Sequence, residues 1–153
     1  MITHKKYQLL YSLLAFLFTV NFYTAQQKTA KANISPEEIN FRNISWKEVS
    51  AEAKKSGKTI FVDAYTSWCG PCKLLKSKTF KDKIAAGYFN RNFINYTIDM
   101  EKGEGIELAK DWKVNSYPSL LFFDPNGKLL LRQIGYVDGK GLIELGKEAL
   151  EKK

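Results

Sequence analysis

The chain has 153 residues, 44% hydrophobic and 26% charged, a length and balance that fit one globular domain. This composition excludes disordered, collagen-like and multi-domain organisation. Lys and Arg number 24 against 16 Asp and Glu, a formal net charge of +8, but the lysines are scattered rather than blocked. The balance therefore reads as a solvated surface and not as a nucleic-acid or membrane-binding face.

The first predicted element is a targeting segment. Basic His4, Lys5 and Lys6 precede the apolar run Leu9 to Val20 and a polar stretch ending at Ala25, the tripartite layout of a secretory signal peptide. The run is shorter than the roughly 18 to 20 residues of a spanning helix, so cleavage is expected over an uncleaved anchor. Ala25 is the expected last residue removed, although Tyr23 is a poor occupant of the position two before it. The sequence thus divides into a signal peptide over 1–25, a linker with a short helical turn over 26–40, and one domain over 41–153, exported to a periplasmic or extracellular setting. His4 is the chain's only histidine, so the exported part has no Ser-His-Asp triad, no Cys-His protease pair and no His-ligated metal.

Ser35-Pro36-Glu37-Glu38 carries a cap residue, a proline at the first helical position and a glutamate at the third, the pattern of a helical turn. Ser45-Trp46-Lys47-Glu48 repeats that capping box. Trp46, Val49 and Ala53 follow at helical spacing until Gly57, predicting a helix over 46–56. Thr59 to Tyr65 is a β-branched and aromatic run of strand length, as expected of a strand covered on both faces. A helix over Cys72 to Phe80, a second over Lys81 to Tyr88, a strand over Phe93 to Asp99 and a helix over Gly105 to Trp112 come next. Ser119 to Phe123 and Lys128 to Ile134 flank Asp124-Pro125-Asn126-Gly127, whose turn chemistry predicts a β-hairpin. An amphipathic helix over Gly139 to Glu151 closes the chain. The order predicts an α/β domain with a central mixed sheet and helices on both faces.

The chemistry centres on Trp68-Cys69-Gly70-Pro71-Cys72, between a strand and a helix. The chain's two cysteines are three residues apart. Cys69 stands at a helix N-terminus, where unpaired amides and the dipole stabilise a thiolate. Pro71 costs nothing in the first turn, where its missing donor is not needed. Cys72, one turn on, can attack a mixed disulfide formed on Cys69. A structural bridge across so short a loop stabilises little, and zinc would need two further ligands that one chain does not supply. Dithiol exchange is the reading that accounts best for the pair. Asp63 supports it independently, because a carboxylate inside an apolar strand is costly without a role or partner. With its proton affinity raised by burial, Asp63 is placed to take the proton of Cys72.

Val62-Asp63, then Trp68-Cys69-Gly70-Pro71-Cys72-Lys73, then Tyr117-Pro118-Ser119 before a strand, resembles the thioredoxin superfamily over residue 41 to the end. Together with the signal peptide and the Asp124 to Gly127 hairpin, it is most similar to exported bacterial thioredoxin-like proteins and to the periplasmic domains of membrane thiol reductases. The resemblance implies a thioredoxin fold and protein disulfide exchange, with Cys69 attacking, Cys72 resolving and Asp63 as the buried acid. It implies a substrate surface of Trp68, Gly70, Pro71, Tyr117 and Pro118, with Pro118 cis, whereas X-Pro chemistry alone favours trans. Three positions depart from the pattern. Tyr117 replaces a small β-branched residue, Ser77 replaces a helix-kinking proline, and Asn95 is aligned with a lysine that would face Asp63.

No nicotinamide or flavin motif and no third cysteine is present, so no cofactor and no metal is expected. Electrons must then come from another protein, with a membrane thiol donor as the expected source. Disulfide-containing proteins are the expected substrates and a monomer the expected state. An oxidase or isomerase of the same fold, or a non-catalytic binding module with vestigial cysteines, is the alternative. Gly103-Glu104-Gly105 echoes a dinucleotide loop, but Leu108 replaces the third glycine and Glu104 would repel phosphate. Asp99, Glu101, Glu104 and Glu107 read as a solvated acidic loop, since Glu104 stands where a calcium loop needs glycine. Trp46 and Trp112 are expected in or near the core, and Trp68 on the surface. Lys73 and Lys76 lie on the active-site helix, near enough in sequence to favour a thiolate.

Overall fold

The computed structural model describes residues 36–153. The expected signal peptide and most of the expected linker lie outside the described residues. The elements are β1 (Phe41–Arg42), α1 (Trp46–Ser56), β2 (Thr59–Tyr65), α2 (Gly70–Ser77), a 3-10 turn (Thr79–Lys81), α3 (Lys83–Asn92), β3 (Phe93–Asp99), α4 (Gly105–Asp111), β4 (Ser119–Phe123), β5 (Leu129–Ile134) and α5 (Gly139–Glu151). The sheet order is β1-β3-β2-β4-β5. β1, β3 and β2 run parallel, while β4 is antiparallel to β2 and β5 to β4. The mixed sheet read from the sequence is therefore the observed one.

Local chemistry explains the boundaries. The Ser45 hydroxyl accepts from the Glu48 N–H, and the Glu48 carboxylate accepts from the Ser45 N–H at 2.9 Å. Both ends of the reciprocal cap are in place. Gly57 ends α1 at φ 68°, its N–H donating to Ala53 O, a left-handed conformation that glycine adopts without penalty. In the hairpin, Asp124 Oδ1 accepts from the N–H groups of Asn126 and Lys128, both at 2.8 Å.

β2 lies between β3 and β4 and is buried from Thr59 to Ala64. Successive side chains point to opposite faces. Ile60, Val62 and Ala64 join a cluster with Val49 and Ala53 of α1 and Leu108 of α4. Phe61 joins the other, with Leu75 of α2, Phe89 of α3 and Leu142 and Ala149 of α5. Trp46 and Trp112 pack edge to face over the first cluster, ring centroids 4.7 Å apart, the core position expected of them.

Two local expectations are corrected, and one strand is new. Glu37 and Glu38 form a bend, not the helical turn expected from Ser35 to Glu38. Their neighbours bond to the body of the domain instead: Ile39 N–H donates to Phe80 O, Asn40 N–H to Asn90 Oδ1, and Asn90 Nδ2 to Glu38 O. Those tertiary partners take the backbone groups that a helix would use internally. The helix expected over Cys72 to Phe80 starts at Gly70 and stops at Ser77, and the following helix starts after Asp82, which caps it by accepting from Ile84 and Ala85 N–H. β1 had no forecast, because two residues carry no periodicity. It exists only through its pairing of Phe41 with Asn95 and Arg42 with Tyr96.

Candidate active site

β2 ends at Tyr65, and Thr66-Ser67-Trp68 carries the chain to α2. Cys69 is the N-cap of that helix, and its Sγ accepts from the Cys72 N–H at 3.2 Å. Pro71 sits in the first turn. Cys69 and Cys72 are joined in a disulfide, their Cα atoms 5.3 Å apart, and both are buried. The N-terminal position, the amide aimed at Cys69 Sγ and the aligned helix dipole would each stabilise a thiolate on Cys69 once the bridge is reduced. A Cβ at Gly70 would meet open space, so the surface over the bridge is unobstructed there.

Trp68 is 64% exposed. Its Nε1–H donates to Glu101 Oε2 at 2.8 Å, and its ring stands edge-on to Tyr117 at 6.0 Å. The Tyr117–Pro118 peptide is cis, as the resemblance implied and the residues alone did not. Pro118 O accepts from Gly135 N–H at 2.9 Å, and Ser119 Oγ donates to Ser116 O at 2.7 Å, fixing both sides of the turn into β4. Trp68, Glu101 and Tyr117 thus link three loops beside the bridge. Glu101 was read only as part of an acidic loop, and its bond to an indole 33 residues away leaves no local signal.

On the other side of Cys72 is a cleft of about 280 Å³, lined by Asp63, Cys72, Lys73, Lys76 and Thr97, with Phe41, Tyr65 and Phe80 among its walls. Asp63 is buried at 7% exposure. Burial pushes its carboxyl up from 3.8 to about 7, against the opposing pull of the Thr97 hydrogen bond and the Lys76 charge. Thr97 Oγ1 donates to Asp63 Oδ2 at 2.9 Å, while Oδ1 has no hydrogen-bond partner in the protein.

The position aligned with the family's lysine gives Asp63 no partner. Asn95 does not face Asp63. The β2–β3 register pairs Asp63 with Thr97 and Phe61 with Asn95, and Asn95 Nδ2 donates to Asn90 Oδ1. The group across from the carboxylate is a hydroxyl.

The acidic loop is only partly solvated. Asp99 is 9% exposed and pairs with Lys102, and Glu104 accepts from Trp46 N–H and Tyr96 Oη–H. Gly105 is required by packing and not by phosphate: a Cβ there would fall 2.1 Å from Asp99 O. Among the described residues no cluster of three or more His, Cys, Asp or Glu could hold a metal ion, and no helix is long and apolar enough to cross a membrane.

Residues 46–150 match the family model of the thioredoxin-like domain. The chain belongs to that family. A solution structure from Bacteroides thetaiotaomicron, described as a candidate disulphide-isomerase, is 44% identical, with TM-score 0.67 over 76% of this chain and 97% of that one. The thiol:disulfide interchange protein DsbD of Campylobacter jejuni is 31% identical over 130 residues, covering 84% of this chain. The match takes in 22% of that relative, so the chain spans about a fifth of its length. Thioredoxin of Mycoplasmoides gallisepticum is 29% identical over 92 residues, 60% of this chain and 85% of that protein. The Cys69–Cys72 pair lies inside the matched thioredoxin-like domain.

Proposed function

We propose that this thioredoxin-like domain works outside the cytoplasm as a reductant of protein disulfides, drawing its electrons from a membrane thiol donor. The observation that carries the reading is the Cys69–Cys72 bridge at the start of α2, with the Asp63 carboxylate buried in the cleft that Cys72 lines. In the proposed cycle the reduced protein presents Cys69 as thiolate. It attacks one sulfur of a substrate disulfide, forming a mixed disulfide and releasing the other substrate sulfur as thiolate. Cys72 passes its proton to the Asp63 carboxylate and attacks Cys69 Sγ. The second substrate thiolate leaves, and the pair is left as the bridge seen here. Two electrons have moved from the cysteine pair to the substrate, and the donor must return two.

Substrate backbone docks across Trp68, Gly70, Pro71, Tyr117 and Pro118 in this reading. Exposed Trp68, edge-on to half-buried Tyr117, supports it by offering an apolar face beside the bridge. Export rests on the sequence of residues 1–25, and the donor on the relatives that are thiol:disulfide interchange proteins. The structure described as a candidate disulphide-isomerase favours a second reading in which the same residues shuffle bonds.

The reduction potential of the pair, equilibrated against a glutathione series, separates the two. A value near about −270 mV is expected, and one near about −180 mV or −120 mV would make the protein an isomerase or an oxidase. Cys69→Ser should reduce turnover of insulin disulfides to background. Unchanged turnover in that variant would sink the reading altogether.

A further inference from the structure

We infer that Lys76 is a positioning residue for disulfide exchange: from the rim of the cleft it holds the Asp63 carboxylate in its ionised, proton-accepting form, and so sets the pH window in which Cys72 resolves the mixed disulfide. The inference rests on the cycle proposed above.

The first observation is what faces Asp63. The β2–β3 register puts Thr97 opposite it, and the Thr97 hydroxyl gives one hydrogen bond to Oδ2. A hydroxyl carries no net charge, and Oδ1 has no protein partner. β1 contributes Phe41 to the cleft and the 3-10 turn contributes Phe80. An ionised carboxylate between such walls needs a compensating cation.

The second observation is where a cation can come from. The charged and titratable groups sharing the cleft with Asp63 are Tyr65 on β2 and Cys72, Lys73 and Lys76 on α2. Cys72 and Lys76 are four residues apart, so they lie one above the other on one face of the helix. Lys73, next to Cys72, is offset around the helix. Of the two lysines, only the charge of Lys76 has a resolved effect on Asp63, and it favours the anion. α2 through the 3-10 turn contains no Asp or Glu to neutralise it. The proton goes from Cys72 Sγ to Asp63 during resolution.

The test is single-turnover reduction of a disulfide peptide by the fully reduced protein, followed by Trp68 fluorescence from about pH 5 to 9. Wild type should show a resolving step that rises with a midpoint set by Asp63, and Asp63→Asn should lack that midpoint. Lys76→Met should move the midpoint up by roughly half a unit, slowing resolution about two- to threefold below it, and Lys76→Glu about twice as far. Lys76→Arg should restore the wild-type profile. Because the lysine is exposed, the shifts should shrink in about 1 M salt. An unmoved midpoint in Lys76→Met and Lys76→Glu, or a Lys76→Arg profile like that of the methionine variant, would overturn the inference. A wild-type protein that reduces no disulfide would instead defeat the proposed cycle, so the two failures are distinguishable.

Discussion

The two faces of β2 are built from one seven-residue run, yet they finish differently. On one face Ile60, Val62 and Ala64 run into a closed apolar cluster, sealed by Trp46, Trp112 and Phe123 with ring centroids 4.7 to 5.3 Å apart. On the other face Phe61 lies among aromatic rings, but two residues later the row reaches Asp63 and the packing opens into the cleft beside Cys72. The first face is complete as a core. The second stops short of completion and leaves a desolvated carboxylate in the cleft that Cys72 lines, an arrangement that costs stability and, in the proposed cycle, supplies a proton acceptor. The difference teaches that one polar residue in an apolar row marks where folding and chemistry meet.

The contrast can be broken most severely at Phe61, which holds the packed part of the second face. It is fully buried, with the rings of Phe89 at 4.7 Å and Phe122 at 5.2 Å. Phe61→Ala should cost about 3 to 5 kcal/mol through lost burial and a cavity that rigid neighbours cannot fill. Urea unfolding should show a lower midpoint with an unchanged slope. A loss below about 1 kcal/mol would mean that the aromatic cluster relaxes around the gap, and that the two faces differ less than their packing says.

Much of this was legible in the residues. The capping box at Ser45, the left-handed stop at Gly57, the strands Thr59–Tyr65, Phe93–Asp99 and Ser119–Phe123, and the last helix all follow from local chemistry and periodicity. So did the pairing of Cys69 with Cys72 and the burial of Asp63. What was hidden depends on relations between distant segments. The register that puts Thr97, and not Asn95, across from Asp63 is a one-dimensional offset between strands 34 residues apart, and no local pattern encodes it. β1 is a strand only because β3 offers it an edge. Glu101 matters because a loop brings it to Trp68, and the helix expected through Phe80 breaks because the Thr79 hydroxyl bonds to Val137 O in a distant segment.

Removing the charge at Asp63 should erase the contrast by making the two faces alike. The carboxyl titrates at about 7 in the fold, against 3.8 in its ordinary state. Between those values the native state holds a proton that the unfolded chain has released, so stability is greatest below pH 3.8 and falls as pH rises towards 7. At about pH 8, Asp63→Asn should be more stable than wild type by roughly 4 kcal/mol, and the gain should vanish by about pH 3. The same variant should resolve mixed disulfides more slowly, the usual opposition between stability and a strained site. Equal stability of the two proteins across the range would show that Asp63 carries no burial cost, and that the open face is no more strained than the closed one.

The smallest effect is expected at the rim, where the open face meets its partner. Trp68 is held by a single side-chain hydrogen bond to Glu101 and by edge contact with Tyr117. The indole is largely exposed, so Glu101→Ala should change global stability by less than about 1 kcal/mol, because water replaces the lost acceptor. Binding is the more sensitive readout. A ring free to rotate must be ordered when a substrate docks, so KM for a disulfide peptide should rise about two- to fivefold with kcat unchanged. Glu101→Gln keeps an acceptor oxygen within reach and should behave as wild type. If Glu101→Ala leaves KM unmoved, Trp68 is already ordered by Tyr117 alone, and the docking face is set by the turn at Pro118 without help from the acidic loop. If Glu101→Gln instead fails as badly as the alanine variant, the carboxylate charge is what counts, and the rim would select substrates by charge as well as by apolar contact.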